Sequence, residues 1–325
     1  MQFIITVDTE ADNQWNRPST EVLENISGLP RFQCLCEKYG LPPTYLVTYE
    51  VAVDPKAIAI LLDCQKKGAE IGAHLHPWTT PPFTRKQDEE RIIHRFPHEL
   101  EQKELRDKLR SLTDAITVSF GKPVSYRSGR WGFNRQVAEE LVRQGYQVDC
   151  SVTPKISWRK TKGDPRGKGG PDYTQAPLLP YQYDDILLEV PLTVIATSGW
   201  GGEGSLLLRV YNLLPDGLVK RVVNRLGVQI KTLRLFPETT TKDLVAIINS
   251  AKRNDLGVLE FMIHSSELWP GTSVYTKTER DVEKNYLRLA ELFTLVREER
   301  MIGVTLAEFA QTFKSKWNSH DKTSY

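Results

Sequence analysis

The feature that most constrains the fold is a repeated alternation of short apolar runs with longer amphipathic segments. Residues 3–7, 44–48 and 69–73 have the length and composition of buried strands, and amphipathic segments with helical spacing lie between them. An alternation repeated this often predicts an α/β fold with a mainly parallel sheet. The pattern alone fits a barrel and an open doubly wound sheet equally well.

Further elements follow the same pattern to the end of the chain. Further strands are predicted at 124–127, 146–149, 187–190 and 257–263, and helices at 21–39, 55–67, 99–120, 134–144, 279–299 and 306–316. We expect residues 1–316 to form a single catalytic domain, which 325 residues with 40% hydrophobic content can support. Residues 159–185 are predicted to be a long loop that can cover the site, and 317–325 a polar tail.

Polar side chains follow five of the predicted strands at the same end. They are Asp8 with Glu10 and Asp12, His74 with His76, Arg127, Asp149 and His264. Ligands of parallel α/β sheets bind at the carboxyl ends of the strands, so these residues are the candidate site.

His74 and His76 are predicted to bind a divalent metal, with zinc as the expected ion. Residues two apart in an extended segment point the same way, so both imidazoles can reach one ion. Glu10 completes a set of two histidines and one carboxylate, which leaves a position open for water. Asp12 is the alternative carboxylate. Asp8 lies on the face of Glu10 and can take a proton from that water.

His264 follows the most apolar predicted strand and suits a general acid. Asp149 is expected to orient it through the other ring nitrogen. Arg127 is expected to pair with a buried carboxylate and keep it ionised, although a plain structural ion pair fits Arg127 as well. Trp78, Trp131 and Trp269, together with Trp15, stand close to these clusters in sequence and are candidates to bind sugar rings.

Composition and charge narrow the class of partner. The formal net charge is +2, and no basic stripe with interleaved aromatic residues stands out, so nucleic acid is not expected. No apolar run is long enough to cross a bilayer, and the first residues lack a signal-peptide pattern, which predicts a cytoplasmic protein. Residues 205–235 are basic and amphipathic; they suit peripheral membrane contact or an ordinary surface helix pair. The pattern is silent on oligomeric state.

The clusters, in order, resemble the five motifs of the polysaccharide deacetylases of the NodB homology type (carbohydrate esterase family 4). The matching segments are 6-TVDTE-10, 70-EIGAHLHP-77, 126-YRSGRWG-132, 145-GYQVDCSV-152 and 262-MIH-264. The first motif here separates its acidic residues by one position, and the second spaces its histidines by two, which is similar to the divergent WalW-like branch.

This resemblance implies a distorted (β/α) barrel, a divalent metal (usually zinc) and hydrolysis of an N-acetyl group on an amino sugar. It assigns Asp8 as the base and His264 as the acid. A polysaccharide or surface-glycan precursor is the expected carbohydrate substrate. The altered motif spacing leaves two alternatives open: a glycan-binding protein that has kept the fold without turnover, and a metal-independent amidohydrolase.

Overall fold

The structure is a computed structural model that describes residues 1–14, 21–83, 93–184, 186–197 and 229–321. The strands are β1 (Gln2–Thr9), β2 (Pro43–Val47), β3 (Glu70–Leu75), β4 (Ser125–Ser128), β5 (Val148–Asp149), β6 (Tyr181–Tyr183), β7 (Leu187–Glu189), β8 (Val194–Ala196), β9 (Ile230–Thr232), β10 (Val258–His264) and β11 (Ile302–Gly303). The α-helices are α1 (Leu29–Tyr39), α2 (Tyr49–Val53), α3 (Pro55–Lys66), α4 (Gln102–Phe120), α5 (Arg135–Gln144), α6 (Thr241–Arg253), α7 (Glu279–Glu298) and α8 (Leu306–Asp321).

The main sheet runs in the order β10-β1-β2-β3-β4-β5-β7-β6, with β11 also paired to β1. All these pairings are parallel except β6 with β7. The sheet is strongly curled. This curl is evident from the Arg127 side chain on β4, which reaches Glu260 on β10, four strands away in the order. Thr193, beyond β7, also donates its backbone N–H to the Glu260 carbonyl at 3.3 Å. The predicted distorted (β/α) barrel is therefore confirmed.

Strand β1 shows how the sequence builds the inside of the barrel. Phe3, Ile5 and Val7 point outward into the main core beneath the helices, while Ile4 points inward. Inner strand residues such as Ile4, Leu46, Val148 and Leu188 are apolar, and they pack in one cluster with Leu306 and Phe309 from the amino-terminal part of α8. Alternation along one strand thus seals one end of the barrel and leaves polar side chains at the other.

Most predicted elements are present, and several boundaries differ. Helix α1 begins at Leu29, after a 3-10 turn at Glu24–Gly28, where the prediction began at 21. Helix α8 continues to Asp321, past the predicted end at 316. Helices α2 and α6 and strands β6, β8, β9 and β11 were not predicted. The expected loop 159–185 contains β6, so it is partly regular.

The membrane expectation for residues 205–235 falls largely on 205–228, which lie outside the described residues. Within the remainder, Ile230–Thr232 is strand β9 paired with β8, so this part is not helical. Among the helices that the structure describes, none is long and apolar enough to span a bilayer.

Candidate active site

A cavity of about 450 Å³ opens at the carboxyl end of the parallel strands. Its floor is formed by residues that follow or end β1, β3 and β10, namely Asp8, Glu10, His74, His76 and His264. The structure therefore brings together the candidates that the sequence placed after three separate strands. This location is the one expected for a ligand site in a parallel α/β sheet.

Glu10, His74 and His76 form a compact group of possible metal ligands. One oxygen or nitrogen from each lies within 4.8 Å of the others, and all three residues are buried. Nε2 of His74 and Nε2 of His76 are 3.0 Å apart, and Oε2 of Glu10 lies 3.7 Å and 3.2 Å from them. Two ligands of a tetrahedral zinc, each roughly 2.0–2.1 Å from the ion, lie roughly 3.3 Å apart. The three atoms therefore fit one divalent ion with little movement.

The protonation of these groups also suits a metal. Burial lowers the pKa of His74 to about 4 and that of His76 to about 3, so both rings are neutral near pH 7 and have a lone pair to offer. Nδ1 of His74 lies 3.0 Å from the Arg127 carbonyl, which fixes the proton on Nδ1 and leaves Nε2 as the ligand atom. Burial raises the pKa of Glu10 to about 7, so binding of an ion displaces a proton there.

Arg127 is fully buried, and its side chain reaches across the barrel from β4 to Asp8 on β1 and Glu260 on β10. Its Nη1 donates to Oδ1 of Asp8 at 2.6 Å, and its Nη2 donates to Oε1 of Glu260 at 2.6 Å and to the Thr6 hydroxyl at 2.8 Å. Although burial alone would raise the pKa of Asp8, the charges of Arg127, His74 and His264 hold it well below its usual value. Asp8 is therefore an anion whose Oδ2 faces the cavity.

His264 and Asp8 lie next to each other and close to the possible metal ligands. Nε2 of His264 lies 3.8 Å from Oδ2 of Asp8 and 4.0 Å from Oε1 of Glu10. Nδ1 of His264 lies 2.9 Å from Oε1 of Glu267 and 3.1 Å from Nη2 of Arg234. Glu267 also pairs with Arg234 at 2.7 Å, and despite burial the charges of Arg234 and His264 keep its pKa below the usual value.

The structure corrects the expected role of Asp149. Its carboxylate accepts from the backbone N–H and the hydroxyl of Ser151, and it shares a hydrogen bond with the carboxyl of Glu189. Strand β5, which carries Asp149, lies on the other side of the barrel from β10, which carries His264. The carboxylate that contacts His264 is instead Glu267. Glu267 comes three residues after the histidine, in the 3-10 turn Ser265–Leu268 that follows β10.

Asp12 does not join the metal group. Its carboxylate accepts from the backbone N–H of Glu24 at 3.2 Å and from that of Asn25 at 3.1 Å, and it also contacts the Asn25 side-chain amide. These bonds fix the segment that precedes α1. The carboxylate that the structure brings to His74 and His76 is Glu10.

The tryptophans that were candidates to bind sugar rings differ in their positions relative to the cavity. Trp131 lines the cavity, and Trp158, from the loop after β5, lies beside it with ring centroids 6.4 Å apart and planes 17° apart. Trp78 also borders the cavity but is only 3% exposed, because its ring is stacked between His76 and His94. Trp78 therefore packs against a metal-ligand candidate and has no open face for a sugar. Trp269 is half-buried and does not line the cavity, and Trp15 lies outside the described residues.

The position of Trp131 depends on a strained turn at the end of β4. Arg130 and Trp131 both have positive φ angles, 54° and 64°, which is uncommon for side chains of this size. Gly129 precedes them, and a Cβ there would come within 2.8 Å of His76 Cδ2 and collide with the Leu75 carbonyl. The turn therefore packs directly on the second histidine while it presents Trp131 to the cavity.

The cavity residues that were not predicted from the sequence include Trp158, Arg234, Phe236 and Tyr275. Arg234 and Phe236 follow β9, a strand of only three residues, and Trp158 and Tyr275 lie in loops. A search restricted to positions just after long apolar runs cannot find such residues. Glu267, the partner of His264, was also not predicted. Its position three residues after His264 is a spacing common in capping boxes, so in this case the sequence did contain a signal.

No protein-family model matches the chain, and no curated protein matches it. Solved structures with a similar arrangement include the CE4 domain of a multidomain xylanase from the hindgut metagenome of Trinervitermes trinervoides (9% identity, 96% of this chain and 91% of that chain, TM-score 0.46). A family 4 acetyl xylan esterase from Clostridium thermocellum, in complex with a cobalt ion, has 12% identity over 97% and 92% of the two chains, with a TM-score of 0.46.

A CE4 family pseudoenzyme from Bacillus anthracis has 10% identity over 95% of this chain and 65% of its own, with a TM-score of 0.44. These identities and TM-scores are too low to carry an argument about activity.

Proposed function

We propose that this chain is a metal-dependent hydrolase that removes an N-acetyl group from an amino sugar in a polysaccharide or surface-glycan precursor. The observation that carries the proposal is the Glu10, His74 and His76 group, whose ligand atoms fit one divalent ion, with Asp8 and His264 beside it. Such a site combines an ion with two separate proton-transfer groups, which is what hydrolysis of an unactivated amide requires.

A divalent ion bound by these three residues, with zinc as the expected ion, supplies Lewis-acid chemistry that polarises an amide carbonyl and acidifies a water. Asp8 acts as the general base through Oδ2, because Arg127 already occupies Oδ1 and keeps the carboxylate ionised. His264 acts as the general acid through Nε2, which faces the cavity beside Asp8. Glu267 and Arg234 hold the imidazole from behind, at Nδ1.

The cavity walls support a carbohydrate substrate. Two pairs of packed aromatic rings line the cavity together with the ionisable residues, Trp131 with Trp158 and Phe236 with Tyr275. Sugar rings pack their apolar faces on such surfaces. The finer resemblance to the WalW-like branch and the cytoplasmic location stay predictions from the sequence.

The experiment that tests this proposal measures acetate release from N-acetylated amino sugars by protein loaded with zinc. We expect turnover by the wild type and a loss of roughly a hundredfold or more in kcat for Asp8→Asn and for His264→Gln. Both variants should bind zinc in the wild-type amount, because neither residue belongs to the three-residue metal group.

Two other outcomes would favour the alternatives. Tight binding of glycans without acetate release by any zinc-loaded sample would indicate a binding protein that has kept the fold. Turnover that survives both chelator treatment and His76→Ala would indicate a metal-independent amidohydrolase. Either result would overturn the proposed mechanism.

A further inference from the structure

Three aromatic rings form a stack that begins at His76, a residue of the metal group. The ring of Trp78 lies against that of His76, with centroids 4.1 Å apart and planes 25° apart. The ring of His94 lies against Trp78 in turn, with centroids 4.3 Å apart and planes 9° apart. All three residues are buried, and all three border the cavity. The stack therefore connects a possible metal ligand to the cavity wall through a tryptophan.

The two histidines of the metal group differ in how the ring nitrogen away from the ion is held. Nδ1 of His74 lies 3.0 Å from the Arg127 carbonyl. Nδ1 of His76 is buried and has no hydrogen-bond partner among the residues that the structure describes. A histidine that binds a metal through Nε2 is usually oriented by a hydrogen bond at Nδ1. The ring of His76 therefore depends on another kind of contact for its orientation.

Packing on the face and on one edge of the His76 ring supplies that contact. Trp78 covers a face, and the backbone of Gly129 is so close to the edge that a Cβ there would come within 2.8 Å of Cδ2. Rotation of the imidazole about its Cβ–Cγ bond would drive an edge of the ring into the indole and break the stack. In this orientation Nε2 lies 3.0 Å from Nε2 of His74 and 3.2 Å from Oε2 of Glu10.

Trp78 is itself fixed by polar contacts. Its Nε1 donates to Oε1 of Gln14 at 3.0 Å. The turn that carries it is closed by a bond from the Thr80 N–H to the His76 carbonyl at 3.1 Å. The buried ammonium of Lys108 donates to the Thr80 carbonyl at 2.7 Å and holds this turn against the barrel. The indole therefore has a defined position against His76.

We propose that Trp78 is a positioning residue for the metal group. It orients His76 by stacking, in the way that the Arg127 carbonyl orients His74 by a hydrogen bond, and His94 supports the indole from its other face. A ligand that is already oriented loses less conformational freedom when the ion binds, so the stack raises the affinity for the ion. The proposal rests on the metal group of the proposed function, but it concerns binding of the ion and not turnover.

The first test measures the zinc Kd by competition with a chromophoric chelator. Trp78→Leu keeps an apolar side chain but removes the planar ring, so we expect the Kd to rise about tenfold to a hundredfold. Trp78→Phe keeps a ring and should stay within about threefold of the wild type. Trp158→Leu is the matched control, because Trp158 also lines the cavity but stacks on Trp131; its Kd should change less than about twofold.

The second test separates the orientation of the ligand from a general loss of structure. The thermal midpoint of each metal-free variant measures stability, and the visible absorption of the Co²⁺-loaded protein reports the geometry around the ion. We expect the absorption bands to change in Trp78→Leu, and to return to those of the wild type in Trp78→Phe. Gln14→Leu removes the acceptor of the indole N–H and tests the same contact if Trp78→Leu does not fold; its zinc Kd should rise about threefold or more.

Variants of His94 distinguish stacking from direct ligation of the ion. His94→Ala removes the outer ring of the stack, so we expect the zinc Kd to rise about threefold or more. His94→Phe keeps a ring against Trp78 and should leave the Kd within about twofold. Equal losses in both variants would show that His94 acts through its nitrogen atoms and would overturn its role in the stack.

Failure of this proposal can be told apart from failure of the hydrolase. A zinc Kd for Trp78→Leu equal to that for Trp158→Leu would overturn the positioning role and leave the hydrolase intact. Zinc binding that depends on Trp78, without acetate release from any N-acetylated amino sugar, would support the positioning role and count against the hydrolase. A wild-type protein that binds no zinc would overturn both.

Discussion

At the scale of single residues, His264 has two partners at one ring atom. Nδ1 faces both a carboxylate acceptor, Glu267, and a guanidinium donor, Arg234. A protonated Nδ1 donates to Glu267, whereas an unprotonated Nδ1 accepts from Arg234. Because Glu267 is held ionised by its pairing with Arg234, it is an acceptor for an Nδ1–H of His264, and this contact leaves Nε2 facing the cavity.

Glu267→Gln tests this positioning. The amide keeps the shape of the side chain but replaces the ionised acceptor of Nδ1 with a neutral group that can also donate, so the orientation of the ring is less well fixed. We therefore expect kcat to fall roughly tenfold to a hundredfold with little change in KM. Steady-state kinetics on zinc-loaded protein measures both constants. Glu104→Gln is the matched control, because Glu104 is also buried and paired with an arginine, Arg95, outside the cavity. An equal loss of kcat in both variants would contradict the assignment.

Arg127 is the residue on which the interior charge balance depends. Its removal leaves Asp8 and Glu260 buried with no cation between them, so we expect Arg127→Met to lower the free energy of unfolding by roughly 3–5 kcal/mol. Urea denaturation measures the loss. Arg135→Met, which removes exposed pairs with Glu139 and Asp184, should cost far less than Arg127→Met.

Adding Glu260→Gln to Arg127→Met should recover part of the loss, because it removes one of the uncompensated charges. Failure of the double variant to recover any stability would show that the cost of Arg127→Met comes from packing and not from charge.

At the scale of elements, the sequence-based predictions were accurate where the apolar residues of a segment follow a single simple pattern. Helix α5 has its apolar residues on one face and strand β10 is uniformly buried, and both were predicted to within one residue. Helix α6 was missed even though Leu244, Ile247, Ile248 and Ala251 have helical spacing and Thr240 begins a capping box. Strands β8 and β9, of three residues each, are too short for a period to show.

The same contrast between local and non-local information applies to the residues of the site. Glu10, His74 and His76 were predicted because strand alternation is a local rule that needs no knowledge of the fold. The assignment of Asp149 to His264 was wrong, because it required knowing which strands face each other across the barrel. That relation is set by the curl of the sheet and by strand order, neither of which is encoded near either residue.

Strands β5 and β7 carry a pair of buried carboxyls whose shared hydrogen bond should appear in the pH dependence of stability. Burial raises the pKa of Asp149 and raises that of Glu189 well above 4.5. Two ionised carboxylates cannot hydrogen-bond to each other, so the pair holds a proton. Its stabilisation is therefore complete below about pH 4.5 and is lost as pH rises through the folded-state pKa.

In Glu189→Gln an amide N–H replaces that proton at every pH. We therefore expect the unfolding free energy of the wild type, relative to this variant, to fall between pH 5 and pH 9, by at most about 1.4 kcal/mol per pH unit. Urea denaturation across this range measures the trend. Glu140→Gln should give the opposite sign at acid pH, because Arg106 and Arg143 outweigh burial and lower the pKa of Glu140. A flat difference for Glu189→Gln would contradict the shared proton.

At the scale of the whole molecule, the possible metal ligands connect parts of the chain that are distant in sequence. Glu10 follows β1 and the two histidines end β3, with β2 between them in the sheet, while β10 brings His264 to the other side of β1. These buried groups were brought together by the folding of the sheet, and the unfolded chain has no such arrangement. An ion that binds only the folded protein must therefore stabilise the entire barrel.

Zinc should raise the thermal midpoint of unfolding of the wild-type protein, and dialysis against a chelator should reverse the rise. At a hundredfold excess of free zinc over its Kd, linkage predicts about 2.7 kcal/mol of added stability. Differential scanning calorimetry measures the shift, and elemental analysis gives the zinc content. His76→Ala should bind no zinc and show no shift, whereas His98→Asn, which alters a histidine stacked on Phe96 outside the metal group, should respond like the wild type. Because the three ligand atoms already lie at the separations that a tetrahedral ion requires, a wild-type midpoint that does not respond to zinc would mean that the group serves packing alone, and the proposed hydrolysis would lose its main support.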